Sequence, residues 1–161
     1  MLPLPRIGHG FDLHRLEPEY PLVVCGETLE HDLGCAAHSD GDVVYHAVTD
    51  ALLGALASGD IGQLFPDTDP TWKGADSRIF VEEAVKRMTI AGCRVGNVDV
   101  TVILERPKLR PHVDAMRGNL AALLNAPLEA VSLKGKTHER VDAVGRGEAI
   151  ACHVVALLIP A

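Results

Sequence analysis

Asp12 and His14 are the two residues whose types and spacing most directly suggest chemistry. They lie two positions apart in the segment G-F-D-L-H, and in extended backbone residues i and i+2 face the same side. A carboxylate and an imidazole that point at one atom form a ligand pair suited to zinc. A surface turn has the same D-x-H spacing, so the pair alone leaves both interpretations open.

A third ligand must come from elsewhere in the chain, and His46 is the candidate. It lies in a segment whose apolar residues recur at helical spacing from Val43 to Ala55, and Asp50 one turn later could orient its imidazole. Two histidines and one carboxylate leave a fourth metal position open, as in catalytic zinc sites. The alternative for His46 is a histidine satisfied within the core.

Groups suited to phosphate follow in two other segments. His38 and Ser39 precede the predicted first helix, where backbone N–H groups favour an anion; the alternative is that Ser39 is simply the N-cap of that helix, with Asp42 three residues on. Late in the chain, Thr137 could donate to a phosphate oxygen and Glu139 could hold a hard cation such as Mg²⁺. Exposed charged turns are the alternative there.

The predicted elements place these groups in one α+β domain spanning residues 1–161. We expect a mixed sheet packed against helices on one side. The loop from Asp60 to Thr71 is predicted to contain at most one short helical turn and is either a lid or a solvated connection. Strands are predicted at 6–11, 95–105, 131–137 and 150–159, a strand or hairpin at 20–28, and helices at 39–59, 76–92 and 111–125.

Composition excludes several classes of function. The formal net charge of −7 disfavours a nucleic-acid surface, and the longest charge-free apolar run, 149–161, is too short to span a bilayer. The N-terminus lacks the pattern of a signal peptide, although a removed transit peptide would leave no trace. The four cysteines form no CxxC pair, so free thiols in a reducing compartment are expected.

Taken together, the motifs resemble the 2-C-methyl-D-erythritol 2,4-cyclodiphosphate synthase family nearly from end to end. The resemblance rests on R-I-G-H-G-F-D-L-H at 6–14, A-H-S-D-G-D-V at 37–43, D-I-G-Q-L-F-P-D-T-D-P at 60–70, G-A-D-S-R at 74–78, G-N-V-D-V-T at 96–101, R-P-K at 106–108 and G-R-G-E-A-I-A-C at 145–152.

The resemblance implies a homotrimer whose sheets face the threefold axis, with active sites between neighbours. It also implies a CMP-releasing cyclisation in the non-mevalonate isoprenoid pathway, with Zn²⁺ and either Mg²⁺ or Mn²⁺ as cofactors. His38 and Thr137 would be catalytic, Asp12, His14 and His46 would bind zinc, and Glu139 the second ion. The implied substrate-binding residues are Asp12, His14, His38, Ser39, Asp60, Ile61, Gly62, Phe65, Pro66, Asp67, Thr68, Asp69, Leu104, Glu105, Arg106, Pro107, Lys108, Leu109, Arg110, Lys136, His138, Glu139 and Arg146.

Two residues depart from the family pattern. Lys136 stands where a threonine is usual, and Ala143 stands where many members carry an aromatic residue facing an axial cavity. That cavity, with Arg146, is thought to accept isoprenoid diphosphates in some members, and the missing aromatic weakens this expectation here.

The ligand pattern alone also fits two other functions. A metal-dependent phosphohydrolase would use the same zinc to activate water, and a non-catalytic trimer would use the metal only for assembly. The resemblance implies cytoplasm in a bacterium and plastid stroma in a plant, alga or apicomplexan, with a cytidine diphosphate-linked small molecule as the substrate.

Overall fold

The computed structural model describes residues 4–161 and shows a mixed sheet with helices on one side. The strand order is β4-β1-β7-β5-β6, in which β5 and β6 are parallel and the other pairs antiparallel; β2 and β3 form a separate hairpin. The strands are β1 Arg6–Glu17, β2 Leu22–Val24, β3 Glu27–Leu29, β4 Gly34–Cys35, β5 Cys93–Ile103, β6 Val131–Lys136 and β7 Ala149–Pro160. The helices are α1 Val43–Ala55, α2 Ile61–Leu64, α3 Arg78–Ile90 and α4 Val113–Leu124, with 3₁₀ turns at Pro70–Trp72, Arg110–His112 and Leu128–Ala130.

The α+β prediction is confirmed, with corrections at the element ends. Strand β1 does not stop at Phe11 but continues to Glu17, because it pairs with β7 along most of its length. The two-residue strand β4 was not predicted. The 60–71 loop contains two short helical pieces, α2 and the turn at Pro70–Trp72, rather than at most one.

The cap of α1 also differs from the prediction, which placed Ser39 there. Asp42 is the N-cap: it is fully buried, and its carboxylate accepts hydrogen bonds from the backbone N–H groups of Val44 and Tyr45 as well as Cys25 and Gly26. A carboxylate can satisfy more of the orphan N–H groups at a helix start than a hydroxyl can. Burial raises the pKa of Asp42 to about 6, and the bonds from Gly26, Cys25 and Tyr45 only partly offset this.

Glycines set the distance between β1 and α1. A Cβ atom on Gly8 would lie 1.8 Å from the carbonyl oxygen of Ala51, and one on Gly10 would lie 1.8 Å from that of Ala47. These contacts are backbone to backbone, so no side chain could move aside. Because only glycine permits this approach, the sheet and the first helix pack closely just before the residues of interest.

The core lies between the helices and one face of the sheet. It is built from aliphatic side chains and small residues, such as Leu52, Val100 and Leu120. The four cysteines are buried free thiols, as expected. The other face of the sheet is exposed, and large apolar side chains lie on it, including Ile7, Phe11, Leu13 and Val155. Among residues 4–161, no helix has the length and apolar character needed to cross a membrane.

Candidate active site

Asp12, His14 and His46 converge as the spacing predicts. The Asp12 Oδ2 atom lies 2.9 Å from His14 Nε2 and 2.9 Å from His46 Nδ1, and the two imidazole nitrogens are 3.0 Å apart. Strand β1 contributes the first two side chains on one face, and α1 contributes the third. The period of the strand and the close approach at Gly10 therefore assemble the cluster.

This cluster fits a divalent metal ion. One atom from each side chain lies within 4.8 Å of the other two, and all three residues are half-buried. Two imidazoles and one carboxylate are a ligand set that zinc takes, with room for a further ligand. Burial opposes the charge of Asp12, but hydrogen bonds and charge from His14 and His46 lower the pKa of its carboxyl group well below the usual range. The ligand is thus held as a carboxylate.

The partner of the second His46 nitrogen differs from the prediction. Asp50 accepts a hydrogen bond from the backbone N–H of Ile61 at 2.8 Å and makes no hydrogen bond to His46 among the described residues. His46 Nε2 instead lies 2.8 Å from Ser77 Oγ and 3.0 Å from Ser39 Oγ. Ser77 is fully buried at the start of α3, and its role was not predicted, because nothing in the sequence brings residue 77 next to residue 46.

A cavity of about 390 Å³ opens beside the cluster; we call it the histidine cavity. The imidazole of His38 lines it and lies 3.1 Å, through Nε2, from the carbonyl oxygen of Asp69. The aromatic rings of Phe65, Trp72 and Phe80 pack on one another at its wall, with ring centroids 4.6 to 6.2 Å apart. Sequence reasoning missed Trp72 and Phe80. The lining residues are His14, Ala37, His38, Ser39, His46, Ile61, Gly62, Phe65, Pro66, Asp67, Trp72 and Phe80.

Other predicted residues of the same loop lie outside this lining. Asp60 is the N-cap of α2, where its carboxylate accepts bonds from the backbone and side chain of Gln63. Asp69 caps the following 3₁₀ turn through its bond from Thr71 N. Thr68 lies between them. In the isolated chain, Asp60 and Asp69 thus stabilise the starts of short helical turns.

A second cavity of about 520 Å³ contains the other group of predicted residues; we call it the lysine cavity. It lies at the ends of β5 and β6, where the parallel pairing brings Ile103 beside Lys136. Four cationic side chains and one carboxylate surround it. The cationic groups suit the phosphates of a ligand, and the carboxylate suits a hydrogen-bond donor on the same ligand. Its lining is Leu104, Glu105, Lys108, Leu109, Arg110, Val113, Lys134, Gly135, Lys136 and Thr137.

The remaining predicted residues follow the lysine cavity along the chain. His138 Nδ1 lies 2.7 Å from an oxygen of Asp142, and the backbone N–H of Glu139 donates to Thr137 Oγ1 at 3.4 Å. Glu139 has a left-handed backbone with φ 52°. Arg106 and Pro107 line an adjoining cavity together with Thr137, and Arg146 lines another together with Ala143.

Comparison with known protein families shows which family the chain belongs to. The YgbB family model matches residues 5–159, almost the whole chain. The chain belongs to the YgbB family.

Two relatives of this YgbB chain carry the name of the same synthase. It is 58% identical over 154 residues to the chloroplastic 2-C-methyl-D-erythritol 2,4-cyclodiphosphate synthase of Arabidopsis thaliana, which covers 96% of this chain and 67% of the relative. It is 54% identical to the enzyme of that name from Pasteurella multocida, with 96% of this chain and 98% of the relative covered. The chain thus spans about two thirds of the plant relative's length and nearly all of the bacterial one's.

Solved structures agree with the fold. A Plasmodium falciparum IspF structure in complex with CDP superposes with a TM-score of 0.88 at 36% identity and covers 99% of both chains. This YgbB chain therefore combines an Asp/His/His cluster with the fold of a protein whose structure contains CDP.

Proposed function

We propose that this chain converts 4-diphosphocytidyl-2-C-methyl-D-erythritol 2-phosphate to 2-C-methyl-D-erythritol 2,4-cyclodiphosphate, with release of CMP, in the non-mevalonate isoprenoid pathway. The observation that carries the proposal is the convergence of Asp12, His14 and His46 beside a cavity, in a chain 54–58% identical to synthases of that name. A single domain of residues 1–161 holds the residues needed.

The chain's task is to fold one substrate molecule back on itself. The 2-phosphate attacks the β-phosphorus, the bond from that phosphorus to the CMP oxygen breaks, and no protein nucleophile is required. Holding the two ends in register supplies on the order of 7–11 kcal/mol of barrier lowering. We assign the sugar phosphate to the histidine cavity, where His38 and Ser39 would bind it, and the cytidine to the lysine cavity, where residues 104–110 would surround the base.

Metal ions would provide most of the charge neutralisation. Zn²⁺ held by Asp12, His14 and His46, and Mg²⁺ or Mn²⁺ held by Glu139, would screen the repulsion between the phosphates. Around them, Lys108 and Lys136 would hold phosphate oxygens by charge, which gives Lys136 a use despite its departure from the family pattern. Thr137 would donate a hydrogen bond to an oxygen whose charge grows in the transition state.

We further propose a homotrimer with its sheets facing the threefold axis. Among the described residues, the histidine and lysine cavities share no lining residue, yet one substrate must occupy both kinds of site. A site formed by the histidine cavity of one copy and the lysine cavity of a neighbour resolves this. The exposed sheet face with Phe11 and Val155 supplies an apolar surface for the contact.

Phosphorus NMR of the reaction tests the proposed chemistry. The expected result is equal amounts of CMP and of a cyclic product whose two phosphorus atoms are coupled to each other, so that CMP gives the one monophosphate signal, with an absolute requirement for Mg²⁺ or Mn²⁺. The segment Phe65–Asp69 would have to exclude water for this outcome. CMP beside an uncyclised bisphosphate would instead show that water is the nucleophile and that the protein is a phosphohydrolase. Native mass spectrometry tests the trimer, which a fully active monomer would contradict.

The proposed compartment follows from the relatives. Bacterial members and chloroplastic members are both similar to this chain, so the cytoplasm of a bacterium or a plastid stroma is expected, with no nucleic acid or membrane as partner. Arg146 and Ala143 line a cavity of about 650 Å³, and binding of an isoprenoid diphosphate there stays a prediction.

A further inference from the structure

Ser77 and Asp40 form a hydrogen-bonded chain behind the metal cluster, on the side of His46 that faces away from Asp12. The His46 Nε2 atom lies 2.8 Å from Ser77 Oγ. The Ser77 hydroxyl makes a short hydrogen bond to Asp40 Oδ1. Ser77 is fully buried, so no solvent molecule competes for its hydroxyl from an exposed side. The three side chains thus form a continuous link from a carboxylate to a metal ligand.

The direction of each hydrogen bond in this chain follows from the donors available. The Asp40 carboxylate is already an acceptor from two backbone groups, Asp42 N on Oδ1 and Ser77 N on Oδ2, each at 3.1 Å. A carboxylate has no proton to give, so the Ser77 hydroxyl must donate to it. The Ser77 hydroxyl has only one proton, and it is used in the hydrogen bond to Asp40. Ser77 Oγ can therefore only accept from His46, so Nε2 of that imidazole carries a proton.

The consequence is a fixed tautomer of His46. With a proton held on Nε2, Nδ1 is the nitrogen left to face a metal ion at the position bounded by Asp12 Oδ2 and His14 Nε2, which lie 2.9 and 3.0 Å from it. That is the form of the ring that can bind a metal at this position, since metal ligation needs an unprotonated nitrogen.

Ser39 offers a comparison in the same place. Its hydroxyl also lies 3.0 Å from His46 Nε2 and accepts from Gly41 N at 3.2 Å. It makes no hydrogen bond to a carboxylate among the described residues, and it lines the histidine cavity. Ser39 Oγ also lies 3.2 Å from Ser77 Oγ, which can accept its proton because the Ser77 hydroxyl donates to Asp40. No carboxylate fixes the direction of the Ser39 hydroxyl, so Ser39 does not determine which nitrogen of His46 carries the proton.

Backbone contacts hold the chain of bonds together. The N–H of Asp40 donates to Ala75 O at 3.0 Å, and that of Gly74 donates to His38 O at 2.7 Å. The segment before α1 is thereby tied to the segment before α3. The His46 ring also packs near Phe80, with centroids 5.7 Å apart.

We propose that Ser77 and Asp40 are positioning residues that select the Nε2-protonated tautomer of His46 and so set the metal affinity of the cluster. This inference rests on the proposed metal site. Neither residue touches substrate or metal in this arrangement; both act through His46.

The test compares Ser77→Ala and Asp40→Asn with wild type and with Ser39→Ala, all as full-length protein. Zinc affinity is measured by competition with a chelator, and the free energy of unfolding by urea titration of the metal-free proteins. Ser77→Ala and Asp40→Asn should weaken zinc binding about 10- to 100-fold, whereas Ser39→Ala should weaken it by no more than about threefold, the low end of the net contribution of one hydrogen bond. In Asp40→Asn, one backbone N–H must face the new amide NH₂ group, so the direction of the chain is no longer enforced.

A second measurement separates positioning from general destabilisation. In the zinc-loaded wild type, the His46 Nε2–H proton should give a slowly exchanging NMR signal, which Ser77→Ala should lose and Ser77→Thr, which keeps a hydroxyl, should retain. Wild-type zinc affinity in Ser77→Ala, or equal losses in Ser77→Ala and Ser39→Ala, would overturn the inference while leaving the metal site standing. A wild-type protein that binds no zinc at all would overturn the metal site as well.

Discussion

The histidine cavity is formed where strand β1 crosses helix α1, whereas the lysine cavity is formed where strands β5 and β6 end. In the first, the functional side chains bond to one another: Asp12, His14 and His46 lie 2.9 to 3.0 Å apart. In the second, Lys134 pairs with Asp99 at 2.6 Å, while Lys108 and Lys136 take part in no ion pair among the described residues.

This difference indicates two ways of preparing a charged site. The histidine cavity is organised before any ligand arrives, because buried hydrogen bonds already fix its geometry. The lysine cavity is lined by four cationic side chains and one carboxylate, so a bound anion would offset the excess positive charge. A metal ion needs ligands at fixed positions, while a flexible nucleotide can be bound by long lysine side chains that adjust to it.

The largest effect is expected at the histidine cavity. Replacing His46 by Ala removes a ligand, so zinc should be lost and activity should fall at least about 1,000-fold. The fold should persist, because the alanine suits a helix and the side chain lies at the edge of the core. Elemental mass spectrometry measures the zinc content, and the rate of CMP release measures the activity. Full zinc occupancy in His46→Ala would show that the cluster is not the metal site.

A smaller effect, of a different kind, is expected at the lysine cavity. Thr137→Val keeps the shape of the side chain but removes the hydroxyl, and kcat should fall roughly 100-fold, the usual loss for one donor to a developing charge. Zinc content should be unchanged. Steady-state kinetics with metal analysis separates this variant from His46→Ala. A wild-type kcat in Thr137→Val would show that the Thr137 hydroxyl does not stabilise the transition state.

The contrast between the cavities also explains what could be predicted from the sequence. Asp12 and His14 were predictable because strand geometry alone puts i and i+2 on one side. Nothing local joins His46 to them; their contact depends on Gly8 and Gly10 allowing α1 close to β1. The lysine cavity residues were predictable only by resemblance, since charged turns are common and their grouping depends on the parallel pairing of β5 with β6.

Two predictions failed for the same physical reason. Ser39 and Asp50 were assigned by spacing within one segment, as a helix cap and as a partner of His46. In the structure, Asp42 is the N-cap of α1 and Ser77 is the hydrogen-bond partner of the His46 imidazole. Both are buried side chains that bond to groups of other segments. Hydrogen bonds between distant segments are invisible to local pattern.

The free energy of unfolding should change more when Asp42 is replaced than when residues of the exposed loops are replaced. Asp42 Oδ1 accepts from Cys25, Val44 and Tyr45, and Oδ2 accepts from Gly26. Asp42→Asn replaces one of these oxygens by an NH₂ group that faces at least one backbone N–H donor, so the free energy of unfolding should fall by about 1–3 kcal/mol. Because the folded-state pKa of Asp42 is raised from 3.8 to about 6, the folded protein binds this proton more tightly. Its contribution is therefore full below pH 4 and is lost as pH rises through 6.

The wild type should accordingly exceed Asp42→Asn by a margin that grows on acidification. From pH 7 to pH 4 the margin should widen by roughly 2 kcal/mol, since one unit of pKa corresponds to about 1.4 kcal/mol. Urea unfolding at several pH values measures it, and subtracting the variant cancels the opposite contribution of Asp12. A margin that narrows toward pH 4 would mean that the folded state prefers the Asp42 carboxylate.

The smallest effect is expected on α4, the helix that follows the lysine-cavity loop. Gly118 is an exposed interior residue of this helix, and no described atom outside the local backbone lies within 4 Å of a Cβ added there. Gly118→Ala should therefore raise the free energy of unfolding by about 0.5–1 kcal/mol, because alanine loses less backbone entropy in a helix. Activity should not change, since Gly118 lines neither cavity. Gly10→Ala is the matched control: the same added methyl would collide with the backbone of Ala47, so stability and zinc binding should both fall. If Gly10→Ala left the urea midpoint unchanged or raised it, as Gly118→Ala should, then close approach between β1 and α1 would not be what holds the histidine cavity together.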